Sequence, residues 1–310
     1  MSIKRLEETP LAITAAELEN CFKPFIVRHC GDGDESWRRA VAKRDRRVRQ
    51  TSWHRGLLRF LPPARREARQ IEREYSQVWR GIDFGFYRLS PPPSDRAPWE
   101  WRERRWIASR FGGARVRLML AMRAIELTRP RSVLEVGSGN GVNLLFLAGR
   151  FPATRFAGLE LTSQGVAAAH AFQAAHARFP AANAAYSPYR MRDETAFRRV
   201  TFTQGSAQHL PFPDGSFDLV MTVLALEQME SIRGPALREI ARVARRHVLM
   251  IEPFFDLNAR GRRRRYVDAH GYLRARVRDL ADYGLRVQWA TADFPQKAAM
   301  AATCVLAARH

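Results

Sequence analysis

The chain has 310 residues, 46% of them apolar, which is enough for one large domain with a buried core and a smaller accessory region. Lysine and arginine number 52 against 31 acids, a formal net charge of +21 that favours polyanionic partners, whether nucleic acid or an anionic membrane surface. Cys21, Cys30 and Cys304 are too few and too scattered for a disulfide framework or a zinc site. No apolar run approaches the ~18 residues of a membrane span, and the first residues carry no apolar leader, so a soluble cytoplasmic protein without a bound metal is expected.

The charge has a second reading. Only Lys4, Lys23, Lys43 and Lys297 are lysines, and the remaining cations are arginines in a chain also rich in alanine. A GC-rich coding sequence raises both residues together without any acidic partner.

Residues 1–115 read as a helical, basic accessory or lid region. Thr14 followed by Glu17 has the spacing of a capping box, so a helix starts there. Between Trp37 and Arg49, Trp37, Val41 and Val48 share one side and arginines fill the rest. That basic amphipathic helix suits anionic lipid or RNA, or else a solvated face on a helix packed against the domain. Pro91-Pro92-Pro93-Ser94 through Pro98 predicts a stiff extended linker. Trp99, Trp101, Trp106 and Phe111 interleave with Arg102, Arg104, Arg105 and Arg110, which suits base stacking, a membrane interface or a packed lid over a pocket. Arg115 to Leu127 predicts the helix that precedes the first strand of the main domain, assigned to residues 116–310.

Ser132-Val133-Leu134-Glu135-Val136 is a short apolar run with an acid near its end, followed by Gly137-Ser138-Gly139-Asn140-Gly141 and then by a helical pattern from Val142. The glycines permit a tight turn that a ligand can approach along the main chain. A dinucleotide fingerprint counted from Gly137 needs glycine at position 142, which is Val142. A phosphate-cradling loop needs Lys and Ser or Thr after Gly141, and Leu144 and Leu145 stand there instead. Arg155 to Leu161 is a second apolar run with an acid near its end, Glu160, nineteen residues past Gly141. In a doubly wound fold that distance brings Glu160 beside the first turn, where a carboxylate accepts two ribose hydroxyls.

The block from Val200 to Met221 contains Gly205-Ser206-Ala207-Gln208-His209-Leu210-Pro211-Phe212-Pro213-Asp214-Gly215-Ser216-Phe217-Asp218-Leu219-Val220. Pro235 to Ala244 is an amphipathic helix with Leu237, Ile240, Ala241 and Ala244 on one face and Pro235 in its first turn. Leu285 to Thr291 and Ala302 to Ala308 are apolar runs joined too closely to be parallel, so they are antiparallel strands.

The acid before the Gly-x-Gly-x-Gly turn, the acid at the second strand end and the Gly205 to Val220 block, in that order, resemble the class I S-adenosylmethionine-dependent methyltransferases of the small-molecule, type 11-like group. The resemblance covers about residues 130 to 309. It implies an α/β, doubly wound, mostly parallel seven-stranded sheet with an antiparallel C-terminal strand, with S-adenosyl-L-methionine as cofactor. Gly137, Ser138, Gly139 and Gly141 are then expected to admit the methionine part, with Glu135 orienting its amino group. Glu160 with Leu161 is expected to take the ribose, and Ser206 and Ala207, together with Val223, the adenine side. Ser206 departs from the family, which has an acid there, and a neutral hydroxyl is the weaker acceptor. Arg245-Arg246 replaces the usual Pro-Gly-Gly turn, which implies a tightened connection into the fifth strand.

Transfer of an activated methyl asks mainly for alignment and exclusion of water. Where the acceptor must lose a proton, Glu227 and His209 are the candidate bases. Arg260 to Tyr266 borders the substrate side and suggests an anionic acceptor, since a guanidinium matches phosphate or carboxylate. The expected acceptor is a small molecule, methylated on O, N or C and anionic or amphiphilic in character. The alternative is an RNA or protein methyltransferase, or a nucleic-acid-binding protein that kept the fold without turnover. The Asn/Asp-Pro-Pro-Tyr/Phe motif of base-amino methyltransferases is missing at Leu224-Ala225-Leu226-Glu227.

Overall fold

The computed structural model describes residues 3–31, 33–56, 68–81, 83–90 and 95–310. The proline run expected as a linker at Pro91-Pro92-Pro93-Ser94 lies outside the described residues. The N-terminal segment contributes α1 (Ala15–Phe22), β1 (Ile26–Cys30), α2 (Glu35–Gly56), α3 (Ala68–Gly81), β2 (Arg96–Trp101) and β3 (Arg104–Ser109). Helix α1 starts as expected, with the Thr14 hydroxyl accepting from the Glu17 amide and the Glu17 carboxylate accepting from the Thr14 amide. This segment is not helical throughout. Strands β2 and β3 form a hairpin, paired as Arg96↔Ser109 through Trp101↔Arg104, and β1 extends it on one side.

Helix α4 (Arg110–Thr128) leads into the main sheet, so a boundary at 115/116 falls inside a helix. The alternation continues with β4 (Ser132–Val136), α5 (Val142–Arg150), β5 (Arg155–Glu160), α6 (Ser163–Ala175), α7 (Ala181–Ala184), β6 (Thr201–Gln204) and β7 (Phe217–Val223). Then come α8 (Arg233–Val243), β8 (Ala244–Glu252), α9 (Phe255–Asn258), α10 (Gly261–His270), β9 (Leu285–Thr291), β10 (Gln296–Lys297) and β11 (Thr303–Arg309). Helix α8 passes into β8 with no intervening residue, the tightened connection that Arg245-Arg246 implied.

The seven-stranded sheet has the order β6-β5-β4-β7-β8-β11-β9. Pairs β4·β5, β4·β7, β5·β6 and β7·β8 are parallel, while β11 runs antiparallel to both β8 and β9. Strand order reverses beside β4, and ligands of doubly wound sheets bind at that point, outside the carboxyl ends of the strands. Every residue of β4 is buried, as a central parallel strand covered on both faces requires. Successive side chains enter opposite cores. Val133, Leu219 and Leu249 face the side of α4 and α5, and Leu134, Val220 and Val248 face α8.

The first of these cores also takes in the N-terminal segment, including Leu6, Phe22, Trp99 and Trp106. Trp99, Trp101 and Trp106 are 1%, 6% and 1% exposed, so the hairpin packs inward and offers no aromatic platform for bases or lipid. Its Trp101 indole donates to Asp293 at 2.7 Å, just after β9, and β10 pairs with β2. The connection between β9 and β11 thereby ties the small antiparallel sheet to the large one. No described helix is long and apolar enough to cross a membrane.

Candidate functional site

The turn after β4 has the conformation its glycines allow. Gly137, Gly139 and Gly141 have φ of +76°, +57° and +76°, values that L side chains rarely adopt. A Cβ at Gly137 would stand 2.5 Å from Ala225 Cβ, and one at Gly139 would stand 2.4 Å from Trp79 Cζ2. Glycine is therefore required at both points by the protein's own packing, with Ala225 and Trp79 lying directly on the turn. Gly141 is different: it caps α5 and packs on Phe202 and Ala169, outside the cavity wall.

Glu160 reaches back to this turn from the end of β5. Its Oε2 accepts from the Gly139 amide at 2.9 Å, while Oε1 accepts from the Thr162 amide and hydroxyl at 3.0 and 2.8 Å. Three donors fix the carboxylate, and Oε2, which accepts from only one of them, keeps acceptor capacity for a ligand. Glu135 is buried in β4. Its Oε1 accepts from Asn143 Nδ2 at 2.7 Å and its Oε2 has no hydrogen-bond partner among the described residues. Burial, opposed by the Asn143 bond and reinforced by the charges of Glu160 and Glu252, pushes its carboxyl up to about 8.

Strand β7 ends in a strained residue. Leu224 has φ of +52°, and the Ala225 amide beyond it donates to Glu252 Oε1 at 2.9 Å. That reversal carries the short turn Leu226–Gln228 to the cavity, where Glu227 is buried and accepts from the Gln228 side chain at 3.0 Å.

These elements enclose one cavity of about 500 Å3. Its wall includes Glu135, Gly137, Ser138, Gly139, Glu160, Leu161, Ser206, Ala207, Val223 and Glu227. His209 is exposed and stands outside the wall, because the loop after Ala207 turns its side chain to solvent. The arginine run also takes another role. Arg262, Arg263 and Arg264 of α10 pair with Asp45, Glu100 and Asp268, and only Tyr266 of that run reaches the cavity.

Four further groups in the wall were not anticipated. Ile71, Tyr75, Val78 and Trp79 of α3 close one side, and their i, i+4, i+7, i+8 spacing is an amphipathic signal open to a sequence reading. Tyr87, whose phenol is pushed up to about 12 by burial, lies near Asn140. Lys297 and Met300 come from the β9–β11 connection, and Arg117 projects from α4. Nothing in the spacing of these last residues marks them, since distant packing brings them here.

The family model described as "Methyltransferase domain" matches residues 134–251. Ajmaline N-methyltransferase of Rauvolfia serpentina is 28% identical over 116 residues, covering 37% of this chain and 33% of that protein. Fatty-acid O-methyltransferase of Mycolicibacterium smegmatis is 34% identical over 93 residues, covering 30% and 26%. The matched segments thus span about a third or less of these two relatives. Among solved structures, the [4+2]-cyclase SpnF superposes with a TM-score of 0.52 at 18% identity over 80% of this chain and 97% of that one, a likeness of fold.

Proposed function

We propose, from the premise that this chain carries a class I S-adenosylmethionine-dependent methyltransferase domain, that it transfers a methyl group to the O, N or C atom of a small-molecule acceptor. The observation that carries this reading is the cavity whose wall joins the Gly137-Gly139 turn to Glu227 and Tyr266, with α3 along one side. Its volume of about 500 Å3 and its largely apolar wall suit a donor and a small acceptor. The curated relatives, named for nitrogen and oxygen acceptors of small size, support the same class.

The residues fit the donor. Glu135 Oε2, buried without a hydrogen-bond partner among the described residues, suits an ammonium group, and Glu160 suits a ribose diol. The turn from Gly137 to Gly139 lines the cavity beside Glu135 and would border the methionine part, and the Ser206-Ala207 segment would border the adenine. When bound, S-adenosyl-L-methionine supplies a sulfonium methyl that is already activated for displacement. The protein's tasks are then orientation and dryness. The Ala225 amide held by Glu252 fixes the backbone at the cavity, and Trp79 and Tyr75 cover it on the α3 side. Glu227 is the carboxylate placed to hold an acceptor proton where the acceptor must lose one.

Two measurements test the reading. Calorimetry with S-adenosylhomocysteine should give saturable binding that Glu160→Ala weakens, and no binding at high micromolar ligand would remove the donor assignment. Labelled donor incubated with fractionated cell extract should place label in the small-molecule fraction. Label confined to RNA or protein would overturn the acceptor class.

A further inference from the structure

Among the described residues the cavity wall contains three cationic side chains, and they differ in what holds them. Arg110 pairs with Asp95 at the start of α4. Lys297 lies 5.8 Å above the Trp99 ring. Arg117, two helical turns along from Arg110 on the same helix, lines the cavity and makes no hydrogen bond or ion pair with any described residue. The groups that act on it at a distance are the carboxylates of Glu227 and Glu252 and the phenols of Tyr87 and Tyr186.

A guanidinium in this position is costly. Burial already holds its pKa below the usual arginine value, which is the sign of a charge removed from water without full compensation. A structural arginine would be expected to satisfy its five donors locally, as neighbouring Arg115 does with the carbonyl oxygens of Cys21, Tyr186 and Ser187. Arg117 instead lines the same cavity as Glu227 and has no such local acceptor among the described residues.

We propose that Arg117 is the anchor for a carboxylate on the acceptor, so that the substrate class is an organic acid. This deepens the methyltransferase reading and rests on it. A planar carboxylate matches the guanidinium through two parallel N–H···O bonds, and a largely apolar wall strengthens such a pair. The anchor would seat the acceptor by one end and aim the rest of the molecule along the wall between Glu227 and the glycine turn. Its role is binding and orientation, with no part in the bond changes of transfer.

The test loads the protein with S-adenosylhomocysteine and titrates it with 4-phenylbutanoate and decanoate, then with the corresponding amides, by calorimetry. At least one acid should bind tenfold or more tightly than its amide. Arg117→Met should abolish that preference, Arg117→Lys should keep part of it, and both variants should bind S-adenosylhomocysteine as the wild type does. Equal binding of acid and amide, no binding of either acid, or an acid preference that survives in Arg117→Met would each overturn the anchor while leaving the donor site standing. Failure of the wild type to bind S-adenosylhomocysteine would instead bring down the methyltransferase reading itself. Comparison of acid with amide on the wild type needs no variant, so a misfolded Arg117→Met does not protect the proposal.

Discussion

The indole of Trp79 rests against the α-carbon of Gly139, so closely that a methyl group on that carbon would stand 2.4 Å from Cζ2 and 2.5 Å from Cη2. Ser76, one turn earlier, donates its hydroxyl to Gln164 at 2.8 Å and so fixes α3 on α6. Helix α3 is thus part of the donor end of the cavity as well as its cover. Trp79→Ala removes a large aromatic surface from this contact and should weaken S-adenosylhomocysteine binding about tenfold, which is ~1.4 kcal/mol. Titration should also change the indole fluorescence of the wild type, and Trp79→Phe should lose most of that change. An unaltered dissociation constant in Trp79→Ala would remove α3 from the donor site.

The raised carboxyl of Glu135 makes donor binding depend on pH. Below about 8 the group is protonated in the free protein, whereas an ammonium partner requires the carboxylate. Binding must then expel one proton, and affinity should rise by up to about tenfold per pH unit between pH 6 and 7.5. It should fall again at higher pH, once the ligand's own amine loses its proton. Calorimetry in buffers of different ionisation heat reads the proton directly. Glu135→Gln should bind more weakly at pH 8 and show a flat acidic limb, and a wild type with no pH dependence would remove Glu135 from contact with the ammonium.

Glu252 gives a related effect on the fold. Burial, opposed by the Ala225 amide and reinforced by the Glu227 charge, pushes its carboxyl up to about 8 from an ordinary 4.5. The folded state therefore holds a proton that the unfolded chain has lost. The stability this confers is complete below pH 4.5 and declines through the interval up to about 8, and Glu135 adds a second contribution of the same sign. Tm should fall across that range and level off above it. Glu252→Gln keeps an oxygen for the Ala225 amide, so its Tm should fall less steeply and exceed that of the wild type at pH 8. Parallel curves for the two proteins would mean that Glu252 is ionised in the fold.

The parts of this site that follow from local conformation were legible in the sequence. Gly137 and Gly139 hold positive φ, β4 is apolar because it is covered on both faces, and Glu160 is placed by the length of one strand-helix unit. Hairpin β2–β3 was not legible, for an identifiable reason. Its turn residues are Arg102 and Glu103, with φ of +44° and +68°, where glycine or asparagine is the usual signal. Arg102 is held there by Glu7 and Asp293, partners from distant parts of the chain, so tertiary contacts replace the local cue. His209 and Gly141 lie outside the cavity wall, because sequence adjacency to the cofactor loops does not determine which way a side chain or a cap residue faces. Arg117 was hidden for the opposite reason. On α4 it resembles its neighbours Arg115 and Arg123, and only the packed cavity separates them.

The last expectation concerns Ser206, which lines the cavity where an acid is usual for this domain. Its Oγ accepts from the Gln208 amide at 3.3 Å, a long bond that leaves the hydroxyl able to serve a ligand. An aspartate at this position would keep the turn, since its carboxylate can accept from the same amide, and would offer the adenine amino group a charged acceptor. Bonds of that kind are roughly twice as strong as neutral ones. Ser206→Asp should therefore bind S-adenosylhomocysteine as well as the wild type or up to about tenfold more tightly, with Ser206→Ala weaker by about two- to fivefold, on the scale of one neutral hydrogen bond. The comparison is made by calorimetry at one fixed pH, so that the contribution of Glu135 is held constant. Loss of more than tenfold in Ser206→Asp would place the serine against a group that repels a negative charge, with Glu160 the nearest acid along the wall, and the adenine would then have to lie elsewhere in the cavity.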